Sequence, residues 1–117
     1  MSILRYIKKR KGDEDMQIPV SIMKMEKSCE DVSQLLKSLA HPTRLMILGH
    51  LTAGPKTVGK LTELCEVSQS QMSHFLMRLS YEHLVKAEKQ GRYRVYSLAD
   101  KRLKKLLEVI QKEYCSS

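Results

Sequence analysis

The chain has 117 residues, with 21 Lys and Arg against 13 Asp and Glu, for a formal net charge of +8. No segment approaches the roughly 20 consecutive apolar residues that a membrane-spanning helix needs. Its three cysteines are an odd number without the spacing of a zinc site, which argues against a disulfide-stapled secreted domain. These properties predict one cytoplasmic domain that is attracted to polyanions.

Residues 1–20 differ in character from the rest of the chain. A basic run gives way to Asp13-Glu14-Asp15, and no apolar stretch is present that would make a signal peptide. We interpret residues 1–20 as a flexible arm and expect residues 21–117 to form the folded domain.

The first predicted helix covers Ser21–Ala40 and carries apolar residues at alternating intervals of three and four. This heptad spacing is typical of a helix that packs along another helix. It therefore favours self-association through an apolar seam. The seam consists of Ile22, Met25, Cys29, Val32, Leu36 and Leu39.

Two short helices are predicted next. Pro42 suits the first turn of the second helix, because its missing N–H would be unpaired there, and Gly54-Pro55 ends that helix. A third helix is expected to begin near Thr57. Its apolar side consists of Val58, Leu61, Leu64 and Cys65.

The fourth predicted helix begins at Ser68, and Gln71 three positions later completes a capping-box pattern. Its apolar positions recur at i, i+3, i+4 and i+7 and therefore share one face. Hydroxyl, amide and imidazole groups on the other side suit base edges in the major groove of DNA. We expect Met72, Phe75, Leu76 and Leu79 to be buried, and Ser70, Gln71, Ser73 and His74 to reach the bases.

A basic hairpin and a final helix complete the predicted domain. The strands are expected over Leu84–Lys89 and Arg92–Leu98, and the last helix over Asp100–Tyr114. Between Lys86 and Lys105, eight Lys or Arg residues stand against two acidic residues. Such a cluster neutralises phosphates and releases counterions, which supplies much of the affinity for DNA. The expected phosphate or minor-groove contacts are Arg78, Lys89, Arg92 and Arg94.

Three segments resemble the ArsR (arsenic-repressor-like) family of winged-helix repressors: Leu36–Leu45, Ser68–Leu79 and Gly91–Leu98. The resemblance covers about residues 24–115. It implies a mainly α winged helix-turn-helix, with a small β-hairpin between the fourth and fifth helices. It also implies a homodimer through the first and last helices, bound to a near-palindromic double-stranded operator and released by an inducer.

The C-terminal Tyr114-Cys115-Ser116 is similar to the sulfide- or redox-responsive branch of biofilm-growth-associated repressors. In that branch the C-terminal cysteine pairs with another in an Ile-Leu-Cys run of the second helix. The matching residues here are Ile47-Leu48-Gly49, so that partner is missing. We hypothesise that Cys29 replaces it and couples to Cys115. The alternatives are a buried apolar role for Cys29 and an exposed, idle thiol at Cys115.

Other chemistry has little support in the sequence. Cys65 is the one cysteine near the third helix, at a position typical of core packing, and no histidine follows His83 to form a zinc site on the last helix. No nucleophile with a base and no Gly-rich phosphate loop is present, so we expect neither an enzyme nor a cofactor or metal. The remaining alternatives are a metal-responsive repressor of the same fold, a DNA-binding protein without an inducer, and a protein-interaction module.

Overall fold

The computed structural model describes residues 17–115, which form five helices and a three-stranded sheet. Residues 1–16, most of the predicted arm, lie outside the described part of the chain. Within that part, no helix is long and apolar enough to cross a membrane. The elements are α1 (Val20–Leu39), α2 (Pro42–Leu51), β1 (Lys56–Thr57), α3 (Val58–Cys65), α4 (Gln69–Tyr81), β2 (Val85–Gln90), β3 (Tyr93–Leu98) and α5 (Lys101–Tyr114).

The chain divides between Ser38 and Leu39 into two compact units. In the first unit, α1 begins one residue earlier than predicted, and the Pro19 carbonyl accepts from the N–H groups of Ile22 and Met23 at 3.0 and 3.1 Å. Much of the apolar seam is open to solvent in the single chain, with exposed fractions of 37% at Val32 and 51% at Leu36. An apolar stripe of this kind on one helix face is suited to bury itself against another surface.

The second unit is built around an aliphatic core. Of the four α4 residues predicted to be buried, Met72, Leu76 and Leu79 are buried, whereas Phe75 is only half-buried. Ile47, Leu48 and Leu51 of α2 are also buried. Leu61 of α3 is fully buried as well. The hairpin and α5 complete this core with Leu84, Val85, Tyr96, Leu103 and Leu107.

The sheet has the order β1-β3-β2, and both strand pairs are antiparallel. The strand β1 was not predicted: it has two residues, Lys56 and Thr57, which pair with Tyr96 and Val95 of β3. Thr57 is also the N-cap of α3, where its side chain accepts from the Lys60 N–H at 3.2 Å. The hairpin is thus attached directly to the start of α3.

The hairpin turn lies one residue further along than predicted, with Gly91 and Arg92 as its two loop residues. Gly91 has a φ of +61°, and a positive φ at the first loop position is the pattern of a type II′ turn. The resulting register places Lys89 directly opposite Arg94.

The helix α5 starts at its N-cap, Asp100, whose carboxylate accepts from the backbone N–H of Arg102 at 2.8 Å. The guanidinium of Arg102 donates to the same carboxylate, and these bonds lower the pKa of Asp100. Leu103 and Leu107 are buried on one side of the helix, and Tyr114, which follows Leu107 by seven residues on the same side, is 84% exposed. It is the last residue of the helix.

Candidate nucleic-acid interface

The helices α3 and α4 are joined by the short segment Glu66-Val67-Ser68. Glu66 ends α3 in the left-handed region, with a φ of 53°. The predicted capping box at the start of α4 is confirmed: Ser68 Oγ accepts from the Gln71 N–H at 3.1 Å, and Gln71 Oε1 accepts from the Ser68 N–H at 3.0 Å. These reciprocal bonds satisfy free N–H groups of the first turn and fix the direction in which α4 leaves the turn.

The capping box restricts what Gln71 can offer a base. A bidentate contact with adenine needs both the amide oxygen and the amide nitrogen. The oxygen of Gln71 already accepts from the Ser68 N–H, which fixes the orientation of the amide and leaves Nε2 and one lone pair of the oxygen for a base. The sequence suggested both roles for this residue, and both use the same oxygen atom.

The side of α4 opposite its buried residues is exposed along the whole helix. We call this surface the outer face of α4. It contains the predicted base-reading residues Ser70, Ser73 and His74 and the predicted phosphate contact Arg78, together with two large side chains for which the sequence suggested no role. The full set is Ser70, Ser73, His74, Met77, Arg78 and Tyr81.

An open groove of about 800 Å³ runs between α4 and the hairpin. Ser73 lines it from α4, and Lys89 and Arg94 line it from the hairpin. Three of the predicted DNA contacts, which come from two separate elements, therefore meet at one groove. Ser70 and His74 lie elsewhere on the outer face of α4, and Arg92 lies in the hairpin loop.

The hairpin and α5 carry a strongly positive charge, and three of their cations, Lys86, Lys89 and Arg94, line this groove beside one carboxylate, Glu88. All eight Lys and Arg residues between Lys86 and Lys105 are exposed. Among residues 17–115, the one ion pair that any of the eight forms joins Arg102 to Asp100. The other seven cations form no ion pair within residues 17–115 and can meet an anion from outside this part of the chain.

Two contacts that the sequence did not reveal hold α4 against α2. Arg44 of α2 forms an ion pair with Glu82, the residue that follows α4, and the Arg44 side chain is only 15% exposed. The ring of His41, the N-cap of α2, contacts that of Phe75 with centroids 5.4 Å apart. Both contacts join positions far apart in the chain, and no local pattern signals such a pairing.

The three cysteines occupy different environments. Cys29 is half-buried on α1, and Cys115 is exposed directly after α5. Cys65 is half-buried, and burial raises the pKa of its thiol, which agrees with the predicted packing role. Among residues 17–115, no three His, Cys, Asp or Glu side chains are grouped so that they could hold a metal ion.

A short connection between α3 and α4, followed by a hairpin that a third strand completes, defines a winged helix-turn-helix. A family of helix-turn-helix domains matches residues 39–79. The transcriptional activator HlyU of Vibrio cholerae is 32% identical over 99 residues, which cover 85% of this chain and 92% of HlyU. The biofilm growth-associated repressor of Agrobacterium fabrum is 33% identical over 92 residues, or 79% of each chain.

Solved structures agree with the sequence matches. The transcriptional repressor BigR of Xylella fastidiosa superimposes with a TM-score of 0.76 at 28% identity, over 81% of this chain and 97% of BigR. The chain therefore belongs to the ArsR/SmtB family of winged helix-turn-helix transcriptional regulators.

Proposed function

We propose that the protein is a homodimeric repressor that binds a specific, near-palindromic operator and is released from it by an inducer. In this proposal α4 enters the major groove, where Ser70, Ser73 and His74 read base edges and Gln71 contributes its Nε2 group. Arg78 and the hairpin residues Lys89, Arg92 and Arg94 contact phosphates or the adjacent minor groove. The observation that carries the proposal is the groove at which Ser73 meets Lys89 and Arg94.

The exposed part of the apolar seam on α1 supports the dimer, since a lone chain would leave it in water. At the end of α5, Val109 and Tyr114 are 53% and 84% exposed. A relative from Mycobacterium bovis is described as a homodimeric winged helix-turn-helix DNA-binding domain. Two copies related by a two-fold axis would present two α4 helices to half-sites about one DNA turn, or about 34 Å, apart.

The DNA contacts can be tested by the salt dependence of binding to a duplex selected from a random library. Each phosphate contact contributes about 0.9 to the slope of log K against log salt. We expect Arg94→Gln to reduce the slope by about 1.8 per dimer, because each copy loses one contact. Lys112→Gln removes an exposed cation of α5 away from the groove and serves as the matched control. Equal slopes for the two variants would contradict the proposal.

The base contacts have a different signature. His74→Ala removes a base-reading group and leaves the cations in place, so we expect a loss of about 1–3 kcal/mol in binding free energy and a relaxed base preference at one position of each half-site. The salt slope should stay unchanged. A uniform loss of affinity on all duplexes would instead indicate that His74 contacts the DNA backbone.

For the inducer, we propose sensing through Cys115 and Cys29. Inorganic polysulfide would transfer one sulfur atom to the Cys115 thiolate, forming a persulfide and a polysulfide one sulfur shorter. Attack by the Cys29 thiolate on the sulfur bonded to the Cys115 β-carbon would then form a disulfide and release hydrosulfide. A disulfide requires the two α-carbons to come within about 7 Å. One structure of V. cholerae HlyU is described as that of the reduced protein, which supports thiol chemistry in that relative.

Mass spectrometry and operator binding after polysulfide treatment test this sensing step. We expect a Cys29–Cys115 link and a 5- to 150-fold loss of affinity, which corresponds to a coupling of about 1–3 kcal/mol. Cys29→Ser and Cys115→Ser should both abolish the response, and Cys65, the thiol whose pKa burial raises, should remain unmodified. If affinity falls while Cys29 and Cys115 stay unlinked, the pairing is wrong. A response to zinc alone would favour the metal-responsive alternative, and no response to either would favour a protein without an inducer.

A further inference from the structure

Met77 is an apolar residue in the middle of a polar surface. It lies on the outer face of α4 with 59% of its area exposed, although the core-facing Met72 of the same helix is fully buried. Met77 follows Ser73 by four residues and His74 by three, so the three side chains are neighbours on the helix surface. Met77 therefore belongs to the proposed DNA-reading surface and not to the core.

Met77 also occupies a central position relative to the hairpin. It lines the groove that Ser73 shares with Lys89 and Arg94, and it borders a smaller cavity of about 430 Å³ beside Arg78. A duplex that occupies this groove between α4 and the hairpin would therefore lie within reach of the Met77 side chain. The residue consequently has base-reading groups on one side of it and phosphate-binding groups on the other.

The chemistry of the major groove restricts what Met77 can recognise. Base edges there present hydrogen-bond donors and acceptors, and one apolar group, the 5-methyl of thymine. A thioether forms at most weak hydrogen bonds, but it is flexible and polarisable and adapts well to an apolar contact. Thymine is the base that offers such a contact.

We propose that Met77 is a specificity-determining residue that selects a thymine in each half-site through contact with its 5-methyl group. The inference rests on the proposed DNA binding and adds a base preference to it. One helical turn is about 5.4 Å, and base pairs are about 3.4 Å apart. The thymine is therefore expected within about two base pairs of the base that Ser73 or His74 reads.

The test uses the full chain and its selected operator, with each thymine replaced in turn by deoxyuridine, which removes only the methyl group. At one position of the operator, we expect this replacement to lower wild-type affinity about fourfold when it is made in one half-site and about 15-fold when it is made in both. Met77→Gln has similar length but a polar end, and it should bind thymine and uracil duplexes equally at that position. Met77→Leu should retain the preference for thymine.

The matched control is Met46→Gln, which changes a methionine of α2 that is 54% exposed and lies outside α4. It should keep the full difference between thymine and uracil duplexes. The inference is overturned if no thymine replacement weakens wild-type binding, or if Met77→Gln keeps the wild-type ratio of affinities for thymine and uracil duplexes. In either case the proposed DNA binding would still stand. If the wild-type protein enriches no duplex at all, the proposed function fails together with the inference.

Discussion

Gly49 lies within α2, where the absence of a Cβ weakens the helix. An added Cβ would meet its nearest neighbour, Nε2 of Gln111, at 3.8 Å, which is an ordinary van der Waals contact. We therefore expect Gly49→Ala to raise the free energy of unfolding by about 0.5–1 kcal/mol, measured by urea denaturation.

Gly91→Ala serves as the opposing control, since its φ of +61° places a Cβ in a strained conformation although no atom lies nearby. This change should lower stability by about 1–2 kcal/mol. A stabilisation at both positions would show that backbone conformation does not govern these two sites.

At the scale of the element, the N-terminus of α5 depends on the charge of Asp100. Hydrogen bonds from Arg102 lower the pKa of this carboxyl, so the folded state favours its ionised form. The resulting stabilisation is complete above the pKa of the unfolded chain, about 3.9, and is lost as the pH falls through the lower pKa of the folded state. Asp100→Asn keeps an N-cap acceptor without the charge.

We therefore expect the melting temperature of the wild type to exceed that of Asp100→Asn at neutral pH, and the difference to shrink in this acid range. Melting curves followed by circular dichroism from neutral to acid pH measure both proteins. A difference that grows as the pH falls would contradict the role assigned to the Asp100–Arg102 interaction.

Elements formed by local patterns could be predicted from the sequence, and those formed by distant pairings could not. Ser68 and Gln71 are three residues apart, so their reciprocal bonds follow from helix geometry. Arg44 and Glu82 are 38 residues apart, and their pairing exists only once α2 and α4 have packed. The candidate site shows the same division: the outer face of α4 follows from helical periodicity, but the groove shared with the hairpin depends on the tertiary fold.

At the scale of the whole molecule, the proposed function requires two copies of the chain. Val32 lies in the apolar seam and is 37% exposed, and a charge there would be buried without a partner in a dimer. We expect Val32→Glu to sediment as a monomer and to lose most of its operator affinity, because one copy reaches only one half-site. Ser33→Glu adds the same charge at the adjacent exposed position and should remain dimeric. If Val32→Glu and Ser33→Glu form dimers of equal stability, the apolar seam is not the interface.

Thr57 belongs to two elements at once, since its backbone pairs with Val95 in the sheet and its side chain caps α3. The hairpin is consequently joined to the start of α3, and a movement of the hairpin would also disturb that helix. In the proposed dimer, a signal that begins at the interface would therefore move α3 and the hairpin together, and a small rotation of the two would misalign them with both proposed half-sites.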